Sequence, residues 1–526
     1  MTKKNQIIFL FFLFLFSVYC ALSTGQTWDE GYSLFHGQVT LKYLFSLGKI
    51  DEYIFYREYF SSIYWSLLYL LTKIFPLQYQ IEVVHITNLI FSFGTIIGIG
   101  KFSKELFNNK VGKIVFLILF FYPVFFGHMS FNNKDTILAF SHVWIACLIL
   151  KYLKNQNNID KTNNYVISIG LLAALATGIQ LFFLGTLIPF FLFILLEIFV
   201  FKKFINKNFN MKKFLYDFLK CFLIFYFLLI LFWIDVHPNI FILPFNIIMK
   251  MFSVNYMTGV PFNLINGNYY LSQDVPKFYL FINFIYKSPE YFLLSYLFFL
   301  VLFLKIKKFF DKRFEFFIYK FILIIFILAF SNLLLVIIPF PVYDGMRLFL
   351  WTIPYMCIIP GLTIYYLIEN FNLIKSKLAL FSLSILFIYF LSNFFAITPY
   401  QYTYLNFLNG KTENRYKKFE NDYWGSSINE LIKNTIFDKN KIIKISTCGV
   451  STKISKRYFI KRGHFNLKFV QPEQADYVIM TNRVTLVNEK TNDFKNLTNC
   501  FDKYKGNDIS IVKRNGLILS VIRKKL

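Results

Sequence analysis

Long apolar runs separated by short polar segments make up most of the chain before residue 397. A helix needs about 20 mainly apolar residues to cross the hydrocarbon core of a bilayer. Runs near that length cover residues 7–22, 83–100, 114–126, 137–152, 165–179, 182–201, 215–234, 291–304, 316–339, 349–368 and 378–396. The pattern predicts a polytopic α-helical membrane protein with about eleven transmembrane helices.

Three segments of this pattern need interpretation. The stretch 165–201 is too long for one span, so we interpret 178–180 as a turn between two short spans. Residues 64–75 are apolar but too short to cross, and we expect them to lie flat at the membrane interface. The first run follows Lys3 and Lys4 like a signal peptide, but no A-x-A cleavage motif follows it, which favours a retained signal anchor.

Basic residues concentrate in every second loop between these runs. The basic loops are 101–113, 151–161, 202–213, 305–313 and 375–377. The short loops between them hold little beyond Lys134 and Arg347. Because cytoplasmic loops are enriched in Lys and Arg, the N-terminus is predicted to lie in the cytoplasm. An odd number of spans then places the C-terminal region outside, and we expect a bacterial inner membrane with this face toward the periplasm.

The composition agrees with a membrane protein. Of the 526 residues, 56% are hydrophobic, 16% are charged and 71 are Phe, which is more apolar side chain than one soluble core can bury. The net charge of +27 does not indicate nucleic-acid binding, because the basic residues lie in short clusters between spans or in the C-terminal quarter. We expect no nucleic-acid partner.

The chain changes character near residue 397, which divides it into a transmembrane domain, 1–396, and a C-terminal domain, 397–526. Strand-like runs and one helical pattern in the second part cover residues 441–446, 475–481, 508–522 and 429–437. Asn515-Gly516 between β-rich flanks predicts a hairpin. We therefore expect a small extramembrane α+β domain, in which Cys448 and Cys500 are either a disulfide or two free thiols.

The ionisable residues of the outer face gather in three clusters at helix ends. These clusters hold Asp29 and Glu30; His128, Asn132, Lys134 and Asp135; and Tyr343, Asp344 and Arg347. A long outer segment, 235–288, completes the face. Ionisable groups at a membrane boundary are costly to desolvate and are therefore often functional. Each also has a simpler interpretation: a solvated carboxylate pair for Asp29 and Glu30, a helix cap for Asp135, and a snorkelling side chain for Arg347.

Together the clusters suit one chemistry. A carboxylate at the membrane surface can act as general base on an acceptor hydroxyl, and a nearby Arg or Lys can stabilise a departing phosphate. If that phosphate is attached to a lipid, the site must lie at this depth. The combination predicts transfer of a sugar from a polyprenyl-phosphate donor, through an oxocarbenium-like state and with inversion.

The sequence resembles the integral-membrane glycosyltransferases of the C superfamily, the group of the protein O-mannosyltransferases and the lipid A aminoarabinose transferases. The resemblance covers roughly residues 7–427. It rests on Asp29-Glu30, Gly127 through Asn132-Asn133-Lys134-Asp135-Thr136, Val342-Tyr343-Asp344-Gly345-Met346-Arg347, and Pro399-Tyr400-Gln401-Tyr402 through Tyr404-Leu405-Asn406 to Asp422-Tyr423-Trp424-Gly425-Ser426-Ser427. Close relatives usually have Pro where Asn133 stands and His where Leu348 stands.

The resemblance implies a role for each motif residue. Asp29 would be the catalytic carboxylate and Glu30 its companion, with Asp135 and Lys134 lining the same cavity and Arg347 meeting the donor phosphate. The remaining substrate-binding candidates are His128, Asn132, Tyr343, Asp344, Asp422 and Trp424. The expected partners are the bilayer, the donor lipid and a lipid, glycan or protein acceptor. No cofactor or metal site is expected, with a divalent cation held by scattered carboxylates as the alternative.

Two other classes of function compete with this interpretation. A transporter or lipid flippase needs polar or charged residues near the membrane midplane, whereas the predicted spans here are nearly uncharged at their centres. A non-catalytic envelope assembly protein would use its basic C-terminal domain to bind an anionic polymer or a membrane surface. Gathering of the informative residues on one face favours the enzyme.

Overall fold

The computed structural model describes residues 3–49, 60–206, 208–251, 261–337, 340–438, 440–488 and 496–526. The last two residues of the predicted span 316–339 and part of the outer segment 235–288 lie outside the described residues. The helices before residue 397 are α1 Lys3–Ser23, α2 Trp28–Phe45, α3 Ile63–Ile74, α4 Gln80–Leu106, α5 Asn109–Phe120, α6 Pro123–His128, α7 Asp135–Asn155, α8 Ile159–Ile179, α9 Phe183–Thr186, α10 Ile188–Leu196, α11 Met211–Leu231, α12 Leu243–Met251, α13 Tyr279–Lys287, α14 Glu290–Val301, α15 Phe303–Asp311, α16 Phe317–Ile337, α17 Ile353–Met356, α18 Ile358–Glu369 and α19 Ile374–Ala396.

Seven helical segments among the described residues are long and apolar enough to cross a membrane. They are Lys4–Ser23, Leu77–Leu106, Asp135–Asn155, Ile159–Ile179, Met211–Leu231, Phe317–Ile337 and Ile374–Ala396. Shorter apolar helical segments are Ile63–Ile74, Ile188–Phe201, Glu290–Val301 and Ile353–Glu369. The chain is a multi-pass helical membrane protein, but the predicted count of about eleven spans is not confirmed.

Helix α7 is the most buried of the seven long apolar helices among the described residues. It packs against both α4 and α8. Small residues allow the close contacts: a side chain added at Gly94 or Gly98 of α4 would collide with Phe140 or Val143 of α7. Close helix packing through small residues is typical of membrane proteins, in which lipid competes for the apolar surface. The packing holds the N-terminal end of α7 in a defined place.

A β-hairpin within the predicted outer segment was not expected from the sequence. It consists of β1 Phe262–Ile265 and β2 Asn268–Leu271, paired antiparallel. Asn266 and Gly267 between them both have positive φ, which two-residue hairpin turns require. An Asn-Gly pair between strand-like flanks is the signal that identifies it. The hairpin supports one of the loops described below.

The C-terminal domain is α+β, as predicted. Its elements are α20 Ile428–Lys433, β3 Ile443–Cys448, α21 Thr452–Lys461, β4 Leu467–Phe469, β5 Tyr477–Thr481, β6 Val484–Leu486, β7 Leu497–Asn499, α22 Cys500–Lys503, β8 Gly506–Arg514 and β9 Leu517–Lys525. Five strands form a sheet in the order β4-β3-β5-β9-β8, with parallel pairs on both sides of β3. The hairpin predicted at Asn515-Gly516 joins β8 to β9.

Two details of this domain refine the sequence prediction. The helix predicted at 429–437 is shorter in the structure: it begins at Ile428 and ends at Lys433, with Asn434 as its C-cap residue. Of the two states left open for Cys448 and Cys500, the structure has the disulfide, with a Cα–Cα distance of 5.8 Å. The disulfide bond links the end of β3 to the start of α22.

The segment before α20 packs this domain onto the membrane part. Tyr402 packs closely on Gly127 of α6: a Cβ added to Gly127 would lie 2.1 Å from the backbone nitrogen of Tyr402. A second contact joins the end of α1 to the C-terminal domain, because Gly25 donates its N–H to the Ser426 carbonyl over 3.1 Å. The candidate site lies where these parts meet.

Candidate active site

The three outer-face clusters meet at the guanidinium of Arg347. Its Nη2 is 2.8 Å from Oδ2 of Asp29, its Nε is 3.1 Å from Oδ2 of Asp135, and its Nη1 is 2.9 Å from Oδ2 of Asp344. Lys134 adds a second cation, 3.3 Å from Oδ2 of Asp29. Residues separated by up to 318 positions therefore form one hydrogen-bonded cluster, which we call the Arg347 cluster.

The start of α2 orients Asp29 toward this cluster and Glu30 away from it. Successive residues of a helix point about 100° apart. Oε2 of Glu30 accepts hydrogen bonds from the backbone N–H of Thr27, at 2.6 Å, and from its hydroxyl, at 3.0 Å. Oε1 of Glu30 lies 2.8 Å from Nε2 of His85. Glu30 is fully buried and stabilises the helix start, as in a capping box.

The loop before α7 places Lys134 and Asp135. Asn132 organises it: its Oδ1 accepts from the backbone N–H groups of Lys134 and Asp135, at 3.2 and 3.0 Å. Its Nδ2 donates to Oδ2 of Asp135 over 3.0 Å. The side chain of Asn132, and not that of Asp135, therefore accepts the backbone N–H groups at the start of α7. Asp135 is the first residue of α7, and its Oδ2 also accepts a hydrogen bond from Nε of Arg347.

A tight loop presents Asp344 and Arg347. Asp344 and Gly345 are both left-handed, with φ of 59° and 66°. This conformation is unusual for Asp, and Gly345 also leaves room for Lys287, whose Nζ would lie 2.4 Å from an added Cβ. The β1–β2 hairpin supports this loop, because Nδ2 of Asn263 in β1 donates a hydrogen bond to the Val342 carbonyl over 2.7 Å.

Among the residues that the structure describes, Asp29 and Lys134 are the most exposed members of the Arg347 cluster. The side chains of Asp29 and Lys134 are 27% and 18% exposed, whereas Asp344 is fully buried. The Lys134 ammonium also lies 5.4 to 5.7 Å from the ring centroids of Tyr32, Phe60 and Trp65. Aromatic faces attract a cation while leaving its hydrogen-bond donors free. A ligand would therefore meet Asp29 and Lys134 first.

Charges around Asp29 set its ionisation. Burial by itself would raise its pKa, but the charges and hydrogen bonds of Lys134 and Arg347 outweigh burial and lower the pKa to about 2. Asp29 is thus a carboxylate at neutral pH, and its lone pairs are held by two cations. Asp29 can accept a proton more readily once another anion pairs with Lys134 and Arg347 in its place.

Two aromatic side chains enclose the Arg347 cluster. The Trp424 ring centroid lies 3.9 Å from the guanidinium carbon of Arg347, and the Tyr343 centroid lies 5.7 Å from it. Trp424 is buried, and Trp28 next to Asp29 is 42% exposed. Beside them, a small cleft between the start of α2 and the C-terminal domain is lined by Trp28, Trp424, Ile428 and Val450, among others.

Three sequence-predicted residues lie outside the Arg347 cluster. Glu30 is bonded as described above. Both carboxylate oxygens of Asp422 accept hydrogen bonds from Ser426 and Ser427, and one also accepts from Tyr402, so Asp422 shapes its own loop. His128 hydrogen-bonds through Nδ1 with the Val124 carbonyl and through Nε2 with the Tyr423 hydroxyl. These hydrogen bonds fix the orientation of the three side chains.

Sequence reasoning did not find three charged residues behind the cluster: Lys287, Glu420 and Arg483. Arg483 bonds Asp344 over 2.6 Å and lies 3.6 Å from Glu420. Burial raises the pKa of Glu420 to about 7 and lowers the pKa of Lys287 to about 8. Arg483 lies in a basic domain just after a predicted strand, and no local pattern distinguishes it from its basic neighbours.

Among the residues that the structure describes, no group of three His, Cys, Asp or Glu side chains is arranged to hold a metal ion. The three carboxylates of the Arg347 cluster surround a guanidinium instead. The arrangement suits recognition of an anion by Arg347 and Lys134 beside a carboxylate that can take a proton.

No protein-family model and no curated protein sequence matches the chain. Solved structures match its fold. ArnT from Cupriavidus metallidurans in the apo state aligns with 99% of this chain and 98% of its own, with a TM-score of 0.51 and 10% sequence identity. The chain has an ArnT-like fold.

Two further structures are similar. ArnT from the same organism bound to undecaprenyl phosphate gives a TM-score of 0.50 at 9% identity, with the same coverage. The oligosaccharyltransferase of Archaeoglobus fulgidus tethered with an acceptor peptide gives 0.48 at 11% identity, over 91% of this chain and 69% of its own. The ArnT-like fold confirms the predicted fold class in general form: a helical membrane part with a strand-containing C-terminal domain.

Replacing Glu30 by Gln tests whether this residue is structural or catalytic. Gln keeps an oxygen for Thr27 but removes the charge that faces His85. Since hydrogen bonds to charged groups contribute about 1.5–3 kcal/mol, we expect E30Q to lower the free energy of unfolding by about that amount. Denaturant unfolding of the purified protein in detergent measures it.

The matched control is Glu105→Gln. Glu105 pairs with Lys154 over 3.5 Å, and both side chains are about one-third exposed. Exposed pairs contribute about 0–1 kcal/mol, so E105Q should unfold nearly like the wild type. An E30Q protein as stable as the wild type but without transfer activity would instead identify Glu30 as catalytic.

Proposed function

We propose that this protein is an integral-membrane glycosyltransferase that moves a sugar from a polyprenyl-phosphate donor to an acceptor hydroxyl. The observation that carries the proposal is the Arg347 cluster, in which a partly exposed carboxylate, Asp29, contacts two cations at the edge of a buried network. Similarity of the fold to ArnT supports it, since ArnT, a lipid A aminoarabinose transferase, has been solved with undecaprenyl phosphate bound.

The proposed reaction is a direct displacement at the anomeric carbon. The acceptor hydroxyl gives its proton to the Asp29 carboxylate while its oxygen forms the new bond to carbon. The bond from carbon to the phosphate oxygen breaks on the opposite side, and its electron pair stays with that oxygen. The products are the inverted glycoside, polyprenyl phosphate and a protonated Asp29, which then loses its proton to water.

Arg347 and Lys134 connect donor binding to the strength of the base. In the free protein their charges hold the pKa of Asp29 at about 2, too low for an effective base. A donor phosphate at the exposed edge would compete for the same N–H groups, because Arg and Lys bind phosphate oxygens well. Withdrawal of these hydrogen bonds raises the basicity of Asp29 only when the donor is present, which protects the free enzyme from unproductive proton transfer.

The other residues of the cluster are proposed to orient rather than react. Asp135 and Asp344 hold two of the three nitrogens of Arg347, and Asn132 holds the Asp135 loop. Trp424 covers one face of the guanidinium. We place the acceptor beside Trp28, because this exposed aromatic side chain directly precedes Asp29 at the start of α2.

The site is proposed to face the periplasm of a bacterial inner membrane. The basic loops at the opposite helix ends support that orientation. The acceptor class, whether lipid, glycan or protein, is expected to be one whose hydroxyl reaches the membrane surface on that side.

Binding of undecaprenyl phosphate to the purified protein tests the proposal. We expect saturable binding that weakens as salt rises, and no comparable binding of undecaprenol, which has the chain but lacks the phosphate. Equal binding of the two lipids would contradict a phosphate site at Lys134 and Arg347.

A second experiment identifies the product. Mass spectrometry of lipids and glycans from a strain lacking the gene should show the loss of one sugar from one acceptor, restored by the wild-type gene. An unchanged profile together with lipid flux in proteoliposomes would favour a flippase.

A further inference from the structure

Arg483 reaches from the C-terminal domain to the back of the Arg347 cluster. It lies between β5 and β6 and is buried, with 8% exposure. Its Nη1 donates to Oδ1 of Asp344 over 2.6 Å, and its Nη2 donates to the Tyr423 carbonyl over 2.9 Å. The two donors of one planar fork therefore join the candidate site to the C-terminal domain.

Asp344 connects two guanidinium groups. Its Oδ1 accepts from Arg483 and its Oδ2 accepts from Nη1 of Arg347. A carboxylate is planar, so fixing one oxygen restricts the direction in which the other can accept. The Asp344 backbone is left-handed, and the side chain is fully buried. The position of Arg483 thus limits the position of Arg347, although the two arginines are not bonded to each other.

The disulfide holds Arg483 from both sides. Gly449 follows Cys448, and an added Cβ there would lie 2.4 Å from Cβ of Arg483, so the Arg483 stem packs directly on this backbone. On the other side, the N–H of Cys500 donates to the Arg483 carbonyl over 2.9 Å. The Cys448–Cys500 disulfide therefore links the two segments that contact Arg483.

We propose that Arg483 is a positioning residue that orients Arg347 through Asp344, and that the Cys448–Cys500 disulfide keeps it in place. The proposal rests on the proposed function, in which Arg347 meets the donor phosphate. Arg483 itself does not touch the substrate. Loss of Arg483 leaves Oδ1 of Asp344 without this partner, so the direction in which Oδ2 accepts from Arg347 is no longer fixed.

A double-mutant cycle on undecaprenyl phosphate binding tests the connection. The variants are Arg483→Met, Asp344→Asn and their combination, measured by the Kd of the folded protein in detergent. Coupled neighbouring residues are strongly non-additive, so we expect R483M to weaken binding about tenfold in the wild type and less than about twofold in the D344N background. A merely structural role would lower stability and leave the Kd of the folded fraction unchanged.

Arg523→Met is the matched control. Arg523 lies in the same domain and likewise joins a carboxylate, Asp508, to backbone carbonyl groups, those of Phe501 and Tyr504. R523M should change the unfolding midpoint but not the Kd. If R483M yields no folded protein, Arg483→Lys completes the same cycle, since Lys keeps the charge without the fork.

The outcomes separate the two proposals. Wild-type protein that binds no undecaprenyl phosphate contradicts the proposed function. If the wild type binds and R483M weakens binding equally in the wild-type and D344N backgrounds, Arg483 does not act on Arg347 through Asp344. Wild-type binding that R483M leaves unchanged overturns the positioning role.

The disulfide is tested in the same assay. A Cys448→Ser, Cys500→Ser double variant should weaken binding in the wild-type background and should have less than about a twofold effect on R483M protein, because both changes release the same residue. Equal weakening in the two backgrounds would show that the disulfide acts elsewhere.

Discussion

Asp29→Asn is expected to abolish sugar transfer while leaving expression and folding intact. Asn cannot accept the proton of the acceptor hydroxyl, and general-base contributions are about 10²–10⁴-fold in rate. Asn also preserves the size of the side chain at this partly exposed position. Transfer from a polyprenyl-phosphate sugar to the acceptor identified by mass spectrometry, with radiolabelled sugar as the readout, measures the effect.

Binding of the donor lipid should not be lost in D29N. Removing a carboxylate that competes for Arg347 and Lys134 leaves these cations more available, so undecaprenyl phosphate should bind as tightly as to the wild type or more tightly. Asp311→Asn is the control, because Asp311, the last residue of α15, is an exposed carboxylate paired with Lys307 and is not part of the Arg347 cluster. Unchanged transfer in D29N would remove the proposed mechanism.

Arg347→Met should be the most destabilising change in the Arg347 cluster. Arg347 is the hydrogen-bond partner of Asp29, Asp135 and Asp344, and the last two carboxylates are buried. Breaking a buried ion pair by removing one partner costs about 3–5 kcal/mol, because it leaves the other charge uncompensated. We expect R347M to lower the free energy of unfolding by about that amount and to lose undecaprenyl phosphate binding.

Arg313→Met provides the comparison for burial. Arg313 also pairs with a carboxylate, Glu369, over 2.7 Å, but its side chain is 40% exposed. Surface pairs contribute about 0–1 kcal/mol, so R313M should be close to the wild type in denaturant unfolding and in lipid binding. Similar losses in R347M and R313M would mean that the Arg347 carboxylates are not desolvated as the structure indicates.

Much of the site could be predicted because its residues stand at helix ends. Hydropathy placed Asp29, Asp135 and Arg347 at the boundaries of apolar runs, and alternation of basic loops assigned them to one face. Four short strings then resembled one enzyme superfamily. Local patterns of this kind survive in the sequence because each depends on neighbouring residues only.

Side-chain direction was less predictable. Asp29 and Glu30 are adjacent and chemically alike, yet one faces Arg347 and the other faces His85. Asp422 belongs to a string that resembles the superfamily, and its carboxylate is used by the hydroxyl and N–H groups of its own loop. A sequence pattern identifies the residue type but not the partner, because the partner depends on packing.

The sequence by itself determined that this is a multi-pass helical membrane protein with an α+β C-terminal domain, and it predicted that Asp29, Asp135 and Arg347 lie at the same end of the helices. Burial of apolar runs in lipid and hairpin formation at Asn-Gly depend on composition and short-range geometry, which a single chain displays directly. Only the tertiary structure decided that Asp29, Asp135 and Asp344 share Arg347, and that Arg483 lies behind them. Those contacts join residues far apart in the chain, and a hydrogen bond requires atoms to meet within about 3 Å, which only the packed helices and the docked domain can arrange.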